Sequence, residues 1–485
     1  MLFNSLEFLI FFPIVLVVHY ALPPRHRWVF LLAASYVFYA AWQPLYSGLI
    51  VVSTVVDYVV AGRIEQTRSR FWRRAWLAVS LTANLGMLFA FKYYNWINGT
   101  FAAWLGADWP LPELDLVLPV GISFYTFQTL SYTVDVFRGE QKREAHFGRF
   151  ALYVAYFPQL VAGPIERASR LLPQLERPRP FDWMRIHSGL RLAAWGLFKK
   201  VVVADRLAEV VDLVYADPGS FGGFAHVVAI VFFSTQIYCD FSGYSDIAIG
   251  VARMLGVDLM KNFDQPYLAR SIGVLWSRWH ISMTTWFRDY VYRPLGGSRV
   301  GAWRYAGNVL IVMVLSGVWH GARWNLVLWG CLHAVLLVSE RWGRPFWLSV
   351  CETLGLSTRP VLRAFVEWSW TYGIWLVTLV FFRAASLGDV TIVLTQLTTA
   401  WDAFGHLDPL LSLLRRWHLD GLLFAYCLLL GPLVELVEYA IRDERLRVWI
   451  DRWSTPVRWA RDYALIVAIL VFGNFNDTPF VYFQF

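Results

Sequence analysis

Long stretches of hydrophobic side chains, separated by short charged segments, dominate this sequence. Residues 28–56 contain no Asp, Glu, Lys, Arg or His, and this run is longer than the roughly 20 residues that one helical crossing of a bilayer needs. Gln43-Pro44 in its middle predicts a turn, so the run predicts two helices. Further apolar runs predict membrane spans at residues 224–255, 303–322, 324–339, 365–382, 422–439 and 465–475.

One apolar stretch breaks this regularity. Residues 150–165 are too few for a crossing, include Pro158 and Pro164, and have basic residues on both sides. We expect a re-entrant or tilted element here, which is tolerated at membrane depth only where protein covers it. Taken together, the runs predict an all-α, polytopic integral membrane protein of about a dozen helices that forms a single domain over residues 1–485.

Composition and charge agree with this interpretation. The chain is 57% hydrophobic and 16% charged, whereas a soluble domain has roughly 25% charged residues. Its net charge of +8 comes from short basic clusters between apolar runs, which is typical of cytoplasmic loops and not of a nucleic-acid-binding face. Segments 62–74 and 137–149 are basic, while segment 95–115 has acids and no base, so the N-terminus is expected outside the cytoplasm.

Polar residues within apolar runs usually mark a cavity or a reaction path. The first concentration of them, residues 235–250, includes Asp240 and the sequence Asp-Phe-Ser-Gly, which suggests a break in the helix. Asp240 fits two roles equally well: it is part of a hydrogen-bonded structural cluster, or it contacts substrate.

The second concentration, residues 275–299, surrounds His280 with bulky rings. Its apolar positions recur at helical spacing and predict an amphipathic helix at the membrane interface. Arg278 and the other arginines of this segment suit contacts with lipid phosphates, and Arg278 is also a candidate for binding substrate.

The third concentration is Ser316-Gly317-Val318-Trp319-His320-Gly321-Ala322-Arg323-Trp324, which ends an uncharged run. Gly321 leaves room beside the imidazole of His320 for a close approach by substrate. Arg323 supplies a fixed positive charge just beyond, and Trp319 places an indole next to the histidine. A lone histidine on an apolar face is also a common core residue, so the residues alone leave its role open.

Other known site motifs are missing from the sequence. No pair of histidines has the spacing of a metal site, and there is no GxSxG elbow, P-loop or glycine-rich dinucleotide turn. The four cysteines form no CxxC pair and three lie in apolar runs, so we expect neither disulfides nor zinc. No metal and no permanently bound cofactor are expected.

Several long motifs resemble one known family. "LWSRWHISMTTWFRDYVYRPLGG" and "SGVWHGARWN" are similar to sequences of the membrane-bound O-acyltransferases, and so are "LPVGISFYTFQTLSYTVDVFRG", "FPQLVAGPIER" and "QIYCDFSGYSDIAIG". The resemblance extends from Met1 to Phe485. It is closest to the bacterial branch that O-acetylates exported polysaccharides such as alginate, with the D-alanyl transfer proteins of teichoic acid as relatives.

This resemblance implies a ring of helices around a tunnel in the bacterial inner membrane. In such a membrane the loop charges predict an N-terminus in the periplasm. The resemblance also implies that His320 is catalytic and that His280 is the second active-site histidine. We add Trp319, Arg278, Asp240 and Arg323 as candidate substrate-binding residues. The implied donor is a cytoplasmic acyl thioester such as acetyl-coenzyme A or an acylated carrier protein, and the implied partners are membrane lipid and a periplasmic acetyltransferase or a polysaccharide-secretion complex.

Two other classes of protein also fit a polytopic chain with buried polar groups. A transporter or export channel is the first, although the sequence shows no internal repeat with paired broken helices. A noncatalytic scaffold of a secretion complex is the second, and in that case His320 would be dispensable.

Overall fold

The computed structural model of the chain describes residues 1–106, 111–161, 163–399, 413–415, 417, 421–475 and 480–481. Within these residues the regular structure is helical and contains no strand, which confirms the predicted all-α class. Six segments of this described part are long and apolar enough to cross a membrane: Pro44–Gln66, Arg70–Leu105, Gly223–Met254, Ala302–His320, Pro360–Arg383 and Gly421–Arg442. The protein is therefore a multi-pass membrane protein. A total near a dozen helices and their arrangement as a ring stay predictions.

The chain forms two compact units. The first comprises Met1–Ala194 and Tyr244–Lys261, and the second comprises Trp195–Gly243 and Asn262–Phe485. All of the candidate site residues belong to the second unit.

The helices that begin in the first unit are α1 (Leu6–Ala21), α2 (Pro24–Ala40), α3 (Ser47–Gln66), α4 (Arg70–Leu88), α5 (Tyr94–Leu105), α6 (Ile122–Arg138), α7 (Phe147–Ala155), α8 (Phe157–Leu160), α9 (Ala168–Glu176) and α10 (Trp183–Leu197). A π-helical turn, Phe89–Tyr93, joins α4 to α5. The predicted turn at Gln43-Pro44 is confirmed, since α2 ends before it and α3 begins after a short 3₁₀ turn, Pro44–Tyr46.

A buried carboxylate ties three of these helices together. Asp57 of α3 accepts hydrogen bonds from Ser80 and from Asn84 Nδ2 (2.9 Å) of α4, and from Thr133 Oγ1 (3.0 Å) of α6. Such bonds between side chains are one of the forces that hold helices together in a membrane.

The stretch predicted to be re-entrant consists of two short helices, α7 and α8. From Phe150 to Val161 every side chain is buried. Gln128 and Gln159 both donate to the carbonyl of Tyr153, at 2.5 and 2.8 Å, so backbone groups here are satisfied by protein. This agrees with an element that does not cross the membrane and is covered by its neighbours.

The helices of the second unit are α11 (Asp205–Ala216), α12 (Gly223–Met254), which continues into the first unit, α13 (Ile272–Arg278), α14 (Ile281–Phe287), α15 (Ala302–His320), α16 (Trp324–Thr353), α17 (Pro360–Arg383), α18 (Leu387–Thr399), α19 (Gly421–Arg442), α20 (Glu444–Asp451) and α21 (Thr455–Phe472). Two π-helical turns precede α11 and follow α14, at Phe198–Ala204 and Arg288–Tyr292.

Four of the predicted spans coincide with segments that meet the length and hydropathy of a crossing. They are 224–255, 303–322, 365–382 and 422–439, which match α12, α15, α17 and α19. The predicted spans 324–339 and 465–475 fall on helices α16 and α21. For these two helices the crossing of the membrane stays a prediction.

The predicted break at Asp240–Gly243 is wrong, because α12 runs without interruption from Gly223 to Met254. Gly243 has a different purpose here. A Cβ atom at this position would lie 2.7 Å from the carbonyl oxygen of Gly196. The glycine therefore allows two backbones to approach closely, which is a common use of small residues between membrane helices.

Candidate active site

A tight hairpin of α15 and α16 places His320. His320 is the last residue of α15, and Gly321 follows it in an extended conformation (φ −170°). A Cβ atom at Gly317 would lie 2.2 Å from the carbonyl oxygen of Leu326, and one at Gly330 would lie 2.4 Å from that of Met313. The two helices are therefore in backbone contact, and the position of His320 depends on that contact.

Aromatic rings surround the imidazole of His320, and this residue is only 3% exposed. Trp329 of α16 and Phe382 of α17 meet it edge-on, with ring centroids at 5.3 and 5.2 Å. Trp319 lies beside it at 5.0 Å. Rings of this kind exclude bulk water, and electrostatic interactions are stronger in a site without water.

His280 stands at a break between helices, which corrects the prediction of one amphipathic interfacial helix over residues 275–299. Helix α13 ends at Arg278 and α14 begins at Ile281, while His280 has a left-handed conformation with φ +44°. This conformation is uncommon outside glycine, although Asn, Asp and His adopt it more readily than other residues. The predicted apolar face nevertheless packs inside the protein: Trp276, Trp279, His280, Met283, Trp286 and Phe287 are all buried.

Asn262 holds this break in place from outside the segment. Its backbone carbonyl accepts from Ile281 N (2.8 Å), and its side-chain Oδ1 accepts from Ser282 N (3.2 Å) and Ser282 Oγ (2.9 Å). These bonds cap the start of α14, and they explain why the chain leaves the helix at His280.

The same Asn262 oxygen fixes the tautomer of His280. Nδ1 of His280 lies 3.1 Å from Asn262 Oδ1, and because that oxygen is an acceptor, Nδ1 carries the proton and Nε2 bears the lone pair. Burial lowers the pKa of His280 to about 3. The imidazole is therefore neutral at pH 7, with Nε2 as a hydrogen-bond acceptor.

Trp319 connects the two histidines. Its indole ring contacts His320 at 5.0 Å and His280 at 5.8 Å between centroids. Three residues that the sequence singled out are thus brought together from two separate segments. Phe241 of α12 completes the surroundings of His280 with an edge-on contact at 4.5 Å.

Asp240 lies next to Phe241 but has other contacts. Its Oδ1 is 2.8 Å from Nζ of Lys200, which is also 2.8 Å from Asp205, and its Oδ2 accepts from the backbone amide of Val481 at 2.6 Å. All three charged groups of this triad are at most 2% exposed. These contacts favour the structural role over the substrate contact that the sequence left open.

The two arginine candidates lie at the edge of the histidine cluster. Arg278 is the last residue of α13 and donates to the carbonyl of Gln265 over 3.5 Å. Arg323 precedes the first residue of α16, three positions after His320, and is partly buried. Contact of either arginine with substrate stays a prediction.

Several residues of this region were not found from the sequence. Asn262 lies 18 residues before His280, and Trp329 and Phe382 lie on other helices. A further histidine, His333, belongs to the same aromatic cluster: it meets Trp329 at 4.7 Å and accepts from Trp276 Nε1 at 3.3 Å. Among these contacts, only that of Trp329 with His333 has a local signal in the sequence, because the two residues lie four positions apart on α16 and so share one face of the helix.

The sequence model of the membrane-bound O-acyltransferase family, MBOAT, matches residues 76–382. The matched region includes both histidines, Trp319 and Asn262. The chain belongs to the membrane-bound O-acyltransferase family. It is consequently an acyltransferase enzyme that acts on an acyl donor, and the transporter interpretation is not supported.

Curated relatives of this MBOAT protein cover most of its length. The chain is 34% identical to "Probable alginate O-acetylase AlgI" of Pseudomonas putida over the full length of both chains. It is 34% identical to the peptidoglycan O-acetyltransferase of Helicobacter pylori over 77% of this chain and 74% of that one. It is 24% identical to the teichoic acid D-alanyltransferase of Bacillus subtilis over 63% of this chain and 83% of that one.

Proposed function

We propose that this MBOAT protein takes an acetyl group from a cytoplasmic thioester, such as acetyl-coenzyme A or an acylated carrier protein, and passes it across the bacterial inner membrane to an exported polysaccharide such as alginate. The final acceptor receives the group directly or through a periplasmic acetyltransferase or secretion complex. The names of the relatives support this substrate class. The alternation of basic and acidic loops supports an N-terminus in the periplasm, and the whole chain, residues 1–485, is proposed to act as one catalytic domain.

One observation carries the proposal. His320 and His280, which come from separate segments of the second unit, are both buried and both pack against the indole of Trp319. A pair of imidazoles confined in this way suits proton transfer and orientation at a reacting carbonyl.

We assign to His320 the role of general base. Its imidazole accepts the proton of the acceptor hydroxyl while the oxygen attacks the thioester carbon, and the C–S bond then breaks with the proton returned to the departing sulfur. The alcohol proton therefore ends on the thiol, and no other reactant is needed.

We assign to His280 the role of orienting a substrate hydroxyl or thiol. Because Nδ1 donates to Asn262, Nε2 has no proton to give to an oxyanion and can only accept a hydrogen bond. The ring of Trp319 contacts both imidazoles, and we assign its indole N–H to the stabilisation of the developing negative charge.

The test compares His320 with His226, another buried histidine of the second unit. His226 has its Nε2 3.1 Å from the carbonyl of Pro218. In purified protein, His320→Gln should lower the rate of labelled acetyl transfer by about 10² or more, the usual contribution of a general base, whereas His226→Gln should keep a rate near wild type. A folded His320→Gln variant with the full rate would contradict the assignment.

A further inference from the structure

A second strained residue lies in the loop that pairs with the segment of His280. Gln265 has φ +49°, and in the part of the chain that the structure describes it and His280 are the two residues other than glycine with a positive φ. The segments around them are joined, since Asp264 N donates to the carbonyl of Arg278 at 3.0 Å. Glutamine is not among the residue types that adopt this conformation readily. Backbone strain of this kind is concentrated at active sites and ligand-binding sites.

The side-chain amide of Gln265 has one end satisfied and one end not. The residue is only 4% exposed. Arg442 Nη1 donates to Oε1 of Gln265 at 3.3 Å, and because a guanidinium has only donors, this contact fixes which end of the amide is oxygen. Nε2, at the other end, is buried, and no group of the described residues accepts a hydrogen bond from it. A buried N–H without an acceptor is unfavourable, so Nε2 indicates a ligand that supplies one.

A carboxylate on α19 has the opposite need. Glu435, Glu438 and Arg442 are spaced by three and four residues and so share one face of this helix. Glu438 accepts from Lys199 Nζ at 2.9 Å and from the hydroxyl of Tyr238. Both carboxylate oxygens of Glu435 are also buried, yet within the described ranges nothing donates to them. Ionisable groups in a membrane span are costly and usually mark a functional path, so Glu435 indicates a ligand that supplies a donor.

Aromatic rings connect the surroundings of these two groups to the histidine site. Glu435 lies within electrostatic range of the hydroxyl of Tyr267, which is two residues from Gln265. The ring of Tyr267 stacks on that of Trp279 with centroids at 6.0 Å. Trp279 immediately precedes His280. A ligand held by both polar groups therefore lies one side chain away from the backbone of the second histidine.

This loop lies at the basic end of α16 and α17. Glu340 of α16 accepts from Ile272 N at 2.6 Å, and Trp368 Nε1 of α17 donates to the carbonyl of Tyr267 at 2.8 Å. The same parts of the two helices carry Arg341, Arg344, Arg359 and Arg363. By the positive-inside rule this end is predicted to face the cytoplasm. A ligand that enters here comes from the side of the thioester donor.

We propose that Gln265 and Glu435 bind the amide groups of the donor's pantetheine arm, with Gln265 Nε2 donating to an amide carbonyl and Glu435 accepting from an amide N–H. This inference rests on the proposed thioester donor, and it names two binding residues and the part of the donor that they recognise. Coenzyme A and acyl carrier proteins share this arm, which has two amides along the chain that ends in the thiol.

The chemistry and the spacing both fit an extended chain of amides. Each amide offers one acceptor and one donor, which match the unused donor of Gln265 and the unused acceptor of Glu435. Arg442, which holds Gln265, is seven residues from Glu435, or about 10 Å along the helix axis. A single small amide does not span that distance, whereas an arm with two amides in line can engage both side chains.

The first experiment measures binding and does not require turnover. Pantetheine is titrated by calorimetry into the full-length protein in detergent, beside an analogue in which esters replace both amides. The esters keep the carbonyls and lose the N–H groups, so wild type should bind the analogue on the order of tenfold more weakly. In Glu435→Leu the acceptor is gone, and the two compounds should bind with equal affinity. A merely structural role of Glu435 would leave the difference between them unchanged.

A second variant tests Gln265 with little disturbance of the fold. Gln265→Glu keeps an oxygen for Arg442 and removes the N–H, so it should bind pantetheine on the order of tenfold more weakly. Gln174→Glu is the matched control, because Gln174 Nε2 already donates to the carbonyls of Arg170 (3.0 Å) and Asp258 (3.1 Å). This control should leave the affinity for pantetheine unchanged.

Coenzyme A and a carrier protein with its arm attached distinguish the two sources of the arm. Gln265→Glu should weaken binding of both by the same factor, and the one that wild type binds more tightly is the natural donor. The inference is overturned if wild type does not bind pantetheine or binds the ester analogue equally well, if Gln265→Glu behaves like Gln174→Glu, or if its loss is confined to coenzyme A. His320→Gln, which tests the proposed function by turnover, should bind pantetheine like wild type.

Discussion

Replacement of Gly317 by alanine should slow acyl transfer although alanine is the better helix former. In an open helical position this change would stabilise the helix by about 1 kcal/mol. At Gly317 the new Cβ atom would lie 2.2 Å from the carbonyl oxygen of Leu326, where ordinary contact begins at 3.4 Å. Helices α15 and α16 must therefore separate by about 1 Å, and a displacement of that size at a reacting group costs on the order of 10² in rate.

The matched control lies on the same helix. Gly307 has no atom within 4 Å of its added Cβ, so Gly307→Ala should keep the wild-type rate and a slightly higher thermal stability. Initial rates of acetyl transfer from a labelled thioester are compared for both variants, with elution from size exclusion as the check of folding. If Gly317→Ala elutes normally and transfers acetyl at the wild-type rate, the hairpin contact does not position His320.

Two further changes probe buried polar groups. The pKa of His280 is about 3 in the folded protein and 6.5 for the free side chain. As pH falls below 6.5, the unfolded chain therefore binds a proton that the folded protein does not, and the free energy of unfolding at pH 5.5 should be about 1 kcal/mol lower than at pH 7. Thermal melts of His280→Asn should lose this part of the pH dependence. Lys200→Met leaves Asp205 and Asp240 without their shared cation and should destabilise the protein by about 3 to 5 kcal/mol. A variant that also carries Asp205→Asn and Asp240→Asn should recover much of this stability in thermal melts. Absence of this recovery would argue against an ion-pair triad.

The membrane helices were predictable because their signal is local. A run of apolar residues of sufficient length has few alternatives in a bilayer, and the match between the predicted spans and α12, α15, α17 and α19 reflects this. The turn at Gln43-Pro44 and the short, covered element at residues 150–165 were predictable for the same reason, since proline and length limit what a segment can form.

Gly243 shows where local reasoning fails. A glycine and a serine within an apolar run favour a break if the segment is considered alone, yet α12 is continuous there. The carbonyl of Gly196, which lies 47 residues earlier, is the partner that requires a glycine at this position. No window of sequence around residue 243 contains that partner.

The candidate site was only partly accessible from sequence. The motifs identified His320 and His280 through resemblance, and adjacency in the chain linked Trp319 to His320. The remaining contacts are long-range: Trp319 also contacts His280, and Asn262 fixes the tautomer of His280. Asn325 likewise donates to the carbonyls of Phe381 and Ala384 on another helix and its end. The charge of Asp240 was noticeable in an apolar run, but its partner Lys200 is 40 residues away, and only the folded structure shows the triad.

Both histidines occupy points where the backbone leaves a helix, and this placement explains how a crowded membrane interior can present an imidazole. His320 ends α15, while His280 separates α13 from α14 with a left-handed conformation that costs roughly 1 to 2 kcal/mol. The hydrogen bonds from Ile281, Ser282 and His280 itself to Asn262 offset that strain. Because the same oxygen that stabilises the break also sets the proton on Nδ1, the conformation and the chemistry of His280 depend on one residue, so a change at Asn262 alters both at once.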